Sequence, residues 1–353
     1  MKSINNKKKI ILIISLILIA LVLVSVTIYF FTKSEGYDEV PIVKFPFKNL
    51  FDENKKPLNI ILISAPFREI QHEELYKEYK KQGLAFCGIS SYLEFPGHID
   101  NPHEDRFHEE RNHDYTKMVS SWLHCFREEK IPQNLKDSGM PLLLMTEADL
   151  KVVDDNPLPP MEKEYDFIYC CLEDNVKCDP GWQSYIRNWD LAKKCLEVMC
   201  SQFNLRGILV GRTNCEFTDK CNGIVKVTPF LPYHEFQAEM KKCKFLFVPN
   251  ISDASPRVIT EAICYDMPVL VNYNIVGGWH NVISGVTGEF FTNETDIIPQ
   301  LTKITTNYNS YKPRNWFQSN RGAKISGKIL ADFLKKNYPD INNKEVQYAT
   351  VTL

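Results

Sequence analysis

Two carboxylates separated by seven residues, Asp253 and Glu261, lie within residues 245–291, FLFVPNISDASPRVITEAICYDMPVLVNYNIVGGWHNVISGVTGEFF. The segment reads as a buried strand, a loop, a helix, a second strand and a glycine turn. The helix should begin near Ser255-Pro256. Its first turn then offers unpaired N–H groups and the positive end of the dipole to an anion. Pro256 suits that turn because its missing N–H is harmless there. Ser255 can cap the helix or donate to an anion. Arg257 can grip a phosphate with its planar fork or pair with Asp253 and hold the loop. Glu261, about a turn and a half into the helix, is placed to accept hydrogen bonds from sugar hydroxyls. Gly277-Gly278 can let backbone approach a ligand closely, and is otherwise a turn. The ligand such a set calls for is both anionic and hydroxylated.

The ordered pieces Asp253-x7-Glu261, Met267-Pro268-Val269-Leu270-Val271, Gly277-Gly278 and Gly285-Val286-Thr287-Gly288 resemble the retaining, family 4-like glycosyltransferases of the GT-B fold. The resemblance covers residues 163–300 and is weak before them. It implies a nucleotide-diphosphate sugar as donor, linked to uridine or guanosine, with no metal and no other cofactor. Asp253 then faces the sugar or the anomeric carbon, and Glu261 the ribose. Arg187, ahead of the helix entered at Asp190, resembles the basic position of the pair that meets the diphosphate. Arg212, after Gly211 at a carboxyl strand end, would face the same crevice. A histidine of the first domain, His103 or His108, would reach the donor sugar or the reacting oxygen. The first acid here is Asp where the family more often has Glu.

The strands and helices that must carry these groups alternate along the chain, as in a doubly wound parallel sheet. Residues 59–65, 84–89 and 141–145 read as strands, 73–82 as a helix, and 115–128 as a helix on the spacing of Met118, Trp122, Cys125 and Phe126. Residues 154–160, DDNPLPP, form a linker. Beyond it, 165–172, 207–210, 224–227 and 245–248 read as strands, with helices at 190–203 and 234–242. The fold class expected is therefore α/β, two Rossmann-like domains (GT-B) with an N-terminal transmembrane helix. The parts are a cytosolic tail (1–9), an anchor (10–31), a stem (32–57), a short acceptor domain (58–157), a nucleotide-sugar domain (158–322), and a C-terminal helix and tail (323–353). The last helix, 323–336, can cross back to the first domain. An acceptor half of this size lacks several of the helices expected of GT-B enzymes.

Residues 10–31 carry no charge and are mostly Ile, Leu and Val, long enough to cross the hydrocarbon layer as a helix. Lys2, Lys7, Lys8 and Lys9 precede the run, and acidic residues follow it. The expected orientation is a single-pass type II protein with its body on the far side, in the ER or Golgi lumen. A cleaved signal peptide and a cytosol-facing body are the competing readings. Asn250-Ile-Ser and Asn293-Glu-Thr are glycosylation sequons, the first too close to the expected site to be used.

A formal charge of −2 on 353 residues gives no support for nucleic-acid binding. Eleven cysteines follow no metal spacing, and buried thiols are favoured over a disulfide framework. His98, His103, His108 and His113 are spaced by five, which does not place them on one helix face for zinc. A P-loop, a G-x-G-x-x-G fingerprint, a D-x-D pair and a Ser-His-Asp triad are absent. Three functions stay open: sugar transfer from a nucleotide donor to a glycan, lipid or protein acceptor, a silent relative that binds a partner, and a nucleotide-sugar epimerase.

Overall fold

Two six-stranded sheets organise the chain, each with helices on its faces. The computed structural model describes residues 40–92, 95–96, 113–159 and 161–351, and every element below belongs to one unit, Val43–Leu353. The expected anchor at 10–31, together with His98, His103 and His108, lies outside the described residues. Among the described residues no helix is long and apolar enough to cross a membrane.

The first sheet is built from β1 (Phe47–Asp52), β2 (Pro57–Ile63), β3 (Ala85–Ile89), β4 (Trp122–His124) and β5 (Leu142–Leu144), with helices α1 (Ile70–Lys81) and α2 (Gln133–Ser138). The second contains β6 (Tyr165–Cys170), α3 (Trp182–Ile186), α4 (Trp189–Ser201), β7 (Gly207–Val210), β8 (Val225–Thr228), α5 (Tyr233–Lys241) and β9 (Cys243–Val248). It continues with α6 (Arg257–Cys264), β10 (Val269–Asn272), β11 (Gly288–Phe291), α7 (Ile297–Thr306) and α8 (Pro313–Asn320). A long helix, α9 (Gly322–Asn337), and β12 (Ala349–Val351) then return to the first sheet.

Strand order in the second sheet is β11-β10-β9-β6-β7-β8, all parallel. Counted within this half, that is the doubly wound order 3-2-1-4-5-6, and it reverses between β6 and β9. Ligands bind such sheets in the crevice beyond the carboxyl ends of the strands at the reversal. The interior strands are mostly apolar because both faces are covered, whereas the edge strand β8 leaves Lys226 and Val227 exposed. Phe167, Tyr169, Phe245 and Phe247 face one side, against Ala192, Cys195, Leu196 and Met199 of α4. Ile168, Leu246 and Val248 face the other, against Ile259, Ala262 and Ile263 of α6. The i, i+3, i+4, i+7 spacing on α4 explains its helicity. Each of its fully buried large side chains contributes on the order of 2 kcal/mol.

The structure departs from the sequence reading in three places, two of them in the first half. Residues 47–52, expected in a stem, form β1, antiparallel to β2 and to β12. Leu50 is wholly buried with Leu58, Ile60, Leu330, Ala331 and Leu334, so α9 and the chain's last strand complete this core. The helix expected over 115–128 is a short turn of helix at Tyr115–Lys117, then β4, then another at Glu128–Lys130. Trp122, Leu123 and His124 are consecutive buried residues of an interior strand, pairing with Gly88 and Ile89 on one side and with residues 142–144 on the other. Three residues are too few to show a strand period, and the flanking Met118 and Phe126 complete a helical spacing by coincidence.

The third departure concerns thiols. Cys178–Cys215 and Cys200–Cys221 are disulfides, and the other seven cysteines are free. Pairings of this kind cannot be read from spacing. Among the described residues, Glu173, Cys178 and Cys215 bring ligand-type atoms within 4.8 Å of one another, but both sulfurs are spent in the bridge.

Candidate functional site

The reversal point holds Arg187 and Asp253. Arg187 ends α3, and its Nη1 lies 2.9 Å from Asp253 Oδ2 on the loop after β9. Burial opposes the charge on the guanidinium, but the Asp253 carboxylate holds its pKa above the ordinary value. Below them is a small cavity of about 110 Å³, lined by Cys170, Arg187, Asn250 and Val258 among others. Val258 belongs to the first turn of α6, and no side chain caps that helix. A basic group and a helix N-terminus therefore border the same space, which suits an anion. Cys170 is no nucleophile there, because burial pushes its thiol up to about 11.

The loop carrying Asp253 is held by backbone. Ile251 N–H donates to Ile186 O at 3.1 Å, Val276 N–H to Ile251 O at 3.1 Å, and Gly277 N–H to Asp253 O at 2.8 Å. A Cβ on Gly277 would sit 1.9 Å from Ala254 O, and one on Gly278 would sit 2.4 Å from Pro256 Cγ. Gly278 also has φ of 74°, which favours glycine. The glycine pair thus lets two protein segments meet closely.

The remaining expected residues separate into distinct settings. Pro256 is the residue just before α6, one position earlier than the first turn. Ser255 does not cap the helix: its Oγ accepts from Ala148 N–H at 3.2 Å, a contact between the two halves. Arg257 is exposed at the helix start, and Asp253 pairs with Arg187 instead of with it. Glu261 is 7% exposed, accepts from Tyr233 O–H at 2.8 Å, and lies 3.6 Å from Lys151 Nζ. Burial acts against the Lys151 charge, but Tyr233 and Glu261 raise its pKa on balance. This carboxylate is reached from a second space of about 290 Å³ along the linker, beside Val153, Pro157 and Gln237.

Arg212 corrects the sequence reading most clearly. It follows β7 as expected, but it is fully buried and does not face the crevice. Its Nη2 donates to Ser184 Oγ at 2.6 Å and to Asp174 Oδ2 at 3.2 Å, and its guanidinium lies 4.5 Å from the Trp189 ring centre. Asp174 in turn accepts from the N–H groups of Gln183 and Ser184 that start α3. Arg212 is a brace for the helix that carries Arg187, not a ligand contact.

A cluster with no sequence signal joins the halves. Asp149 is 1% exposed; its carboxylate meets His280 Nε2 at 2.8 Å, Asn281 Nδ2 at 2.8 Å and Thr146 N–H at 2.7 Å. Burial alone would raise its pKa, but His280, Asn281 and Thr146 together hold it down at about 2. Near it, Arg127 lies over the rings of Tyr273 and Trp279 at 4.2 and 4.4 Å and donates to Tyr273 O at 3.2 Å. Trp279 Nε1 donates to Cys125 O at 2.8 Å. Apart from the bond between Thr146 and Asp149, nothing local could reveal these contacts, since the partners lie more than 130 residues apart. An open cleft of about 680 Å³ lies between the halves, bordered by Phe126, Asn134, Tyr185, Ser252 and Asn274.

No protein-family model matches the chain, and no curated protein matches it. Solved structures do match in fold. The apo form of the lipopolysaccharide outer core galactosyltransferase WaaB gives a TM-score of 0.50 at 12% identity, over 74% of this chain and 70% of that one. TarM gives 0.51 at 11% identity, over 74% of this chain and 50% of its own, so the matched part is half of TarM. HepE from Anabaena, solved in complex with UDP, gives 0.51 at 13% identity over 78% of each chain. At such identities the likeness shows the architecture. The fold is GT-B, as the resemblance in residues 245–291 implies.

Proposed function

We propose that the chain is a glycosyltransferase that takes a sugar from a nucleotide-diphosphate donor. The observation that carries this reading is the meeting of Arg187, Asp253 and the uncapped first turn of α6 at the strand-order reversal of a GT-B sheet. The diphosphate would lie between Arg187 and that turn, where positive charge stabilises the leaving oxygen as the bond to the anomeric carbon breaks. Glu261 would receive ribose hydroxyls, in exchange for its contacts with Tyr233 and Lys151. Asp253 would face the sugar. The acceptor oxygen would enter from the 680 Å³ cleft and pass its proton to the departing phosphate. Family 4-like retention at the anomeric carbon, and the absence of a metal requirement, follow from the sequence resemblance. The complex of HepE with UDP makes a uridine nucleotide the first donor to try, with guanosine as the alternative.

Residues 10–31 would anchor this body in a membrane, with the catalytic part outside the cytosol. The uncharged run and the lysines before it support that orientation. Two disulfides in the second half suit an oxidising compartment. Asn250 is 3% exposed and closed to glycosylation, while Asn293 is exposed.

A second reading has its own observation. The cavity beside Arg187 is only about 110 Å³, well below the few hundred Å³ of ordinary small-ligand sites. A silent relative that binds a glycan or partner without turnover fits that closed state. Thermal stabilisation by UDP, GDP and their sugars, measured with donor hydrolysis, separates the two. UDP or GDP should stabilise the native protein. Glu261→Ala should weaken that binding roughly thirty-fold, as expected for losing about 2 kcal/mol of charged hydrogen bonding. Stabilisation with no hydrolysis or transfer supports the silent reading. An unchanged response in Glu261→Ala removes Glu261 from the ribose role.

A further inference from the structure

A second cavity, of about 330 Å³, adjoins the cleft over the junction of α3 and α4. Tyr185 and Ile251 border both spaces, so a molecule filling one reaches the other. The wall between them is fixed from several directions. Asp174 accepts the N–H of Gln183 at 2.5 Å and of Ser184 at 3.0 Å, and Cys178–Cys215 ties the preceding loop to the one after β7. Asn188 turns the chain into α4 at φ of 51°. Such a wall loses little freedom when a ligand binds.

The lining indicates what that ligand is. Ser252 is 3% exposed and borders the cleft, and its Oγ has no hydrogen-bond partner among the described residues. A buried hydroxyl left unpaired is costly, and a ligand hydroxyl would relieve that cost. Tyr185 presents a ring backed by Trp182, stacked at 6.3 Å between centres and 23° between planes. Flat aromatic faces of this kind cover the apolar side of a ring while its polar edge stays bonded. At the far end stand Asn188, Asp190, Lys193 and Glu216, with Lys193 2.9 Å from Asp190. Counted with Lys130 on the cleft wall, the two carboxylates and two ammonium groups balance, so the lining holds no excess positive charge for a polyanion. The carboxylate oxygens accept hydrogen bonds from a chain of neutral hydroxyls.

We propose that the two cavities form one acceptor groove for an uncharged carbohydrate of at least two sugar units. Ser252 bonds a hydroxyl of the unit at the reacting end, and Tyr185 supports the next unit along α3. The idea rests on the transfer reading above and adds the length and charge of the acceptor.

The test uses the full-length protein on an array of immobilised neutral and sulfated or phosphorylated oligosaccharides, followed by titration with the best neutral binder and its monosaccharide. Neutral oligosaccharides should be retained, and cutting the binder to one unit should weaken it at least tenfold. Tyr185→Ala and Ser252→Ala should each weaken it to a similar extent. Ser252→Ala removes a group with nothing to bond, so its fold is kept even where Tyr185→Ala fails to express. Equal affinity for the monosaccharide, preference for anionic glycans, unchanged binding in Ser252→Ala, or retention of no glycan overturns the proposal. Stabilisation of the native protein by UDP or GDP, measured alongside, reports separately on the donor reading. A protein that holds neutral oligosaccharides but ignores nucleotides would keep the groove and lose the donor site.

Discussion

Lowering the pH from 8 to 5 protonates His124 in the unfolded chain but leaves it neutral in the native one. The side chain ends β4, is 7% exposed, and its Nδ1 has no partner among the described residues. Burial first, and His280 beside it second, bring its pKa down from 6.5 to about 4. Because the native value is the lower, its contribution to stability is complete above about pH 6.5 and falls away as the pH drops toward 4. At pH 5 the unfolded state gains a factor of roughly thirty from protonation, which is about 2 kcal/mol; the full shift amounts to roughly 3 kcal/mol. The ring lies within 8° of parallel to Phe126, so Phe is a shape-compatible replacement without the titration. Urea unfolding of the wild type and His124→Phe at pH 8 and pH 5 measures the difference. The wild type should lose about 2 kcal/mol more than the variant. Equal losses in both proteins would refute the assignment of that pH dependence to this buried imidazole.

Two further outcomes bear on the braces around the crevice. Arg212→Ala leaves Asp174 and Ser184 without their buried partner and should cost about 3–5 kcal/mol in unfolding experiments, while molecules that still fold keep their response to nucleotide. Loss of that response with stability unchanged would return Arg212 to the ligand. The disulfides close loops of 37 and 21 residues in sequence separation. Chain-entropy arguments assign each about 3–4 kcal/mol, so Cys200→Ser with Cys221→Ser should lower the urea midpoint measurably, and a midpoint equal to wild type would argue that the bridge does not form.

The second half was largely legible because its interior strands contain short apolar runs and its helices carry a clear stripe. Residues 207–210 and 245–248 are strands where the pattern places them, while Cys243 and Lys244 extend β9 beyond the apolar core of the run. The first half was less so. β1 contains Lys48 and Asn49 and follows a proline-rich stretch, so it has neither alternation nor a continuous apolar run, and its partners come from distant parts of the chain. At the site, residue types pointed to Arg187, Asp253 and Glu261 one at a time. The ion pair between the first two, and the hold of Tyr233 and Lys151 on the third, depend on which strands neighbour one another. Arg212 shows the opposite limit. An arginine at a carboxyl strand end looks the same in sequence whether it greets a ligand or is sealed behind a tryptophan. Asp149 and His280 carried no signal, being ordinary residues until the halves meet.

The pairing of β1 with β12 has a consequence for how the protein is made. A ribosome releases residues 47–52 some three hundred residues before 349–351. Throughout that interval the first half has an open border and lacks the α9 surface that covers Leu50. The second half, contiguous from 165 to 320, can mature earlier and serve as the platform on which the first is finished. Late synthesis, not early, therefore sets when this protein becomes whole.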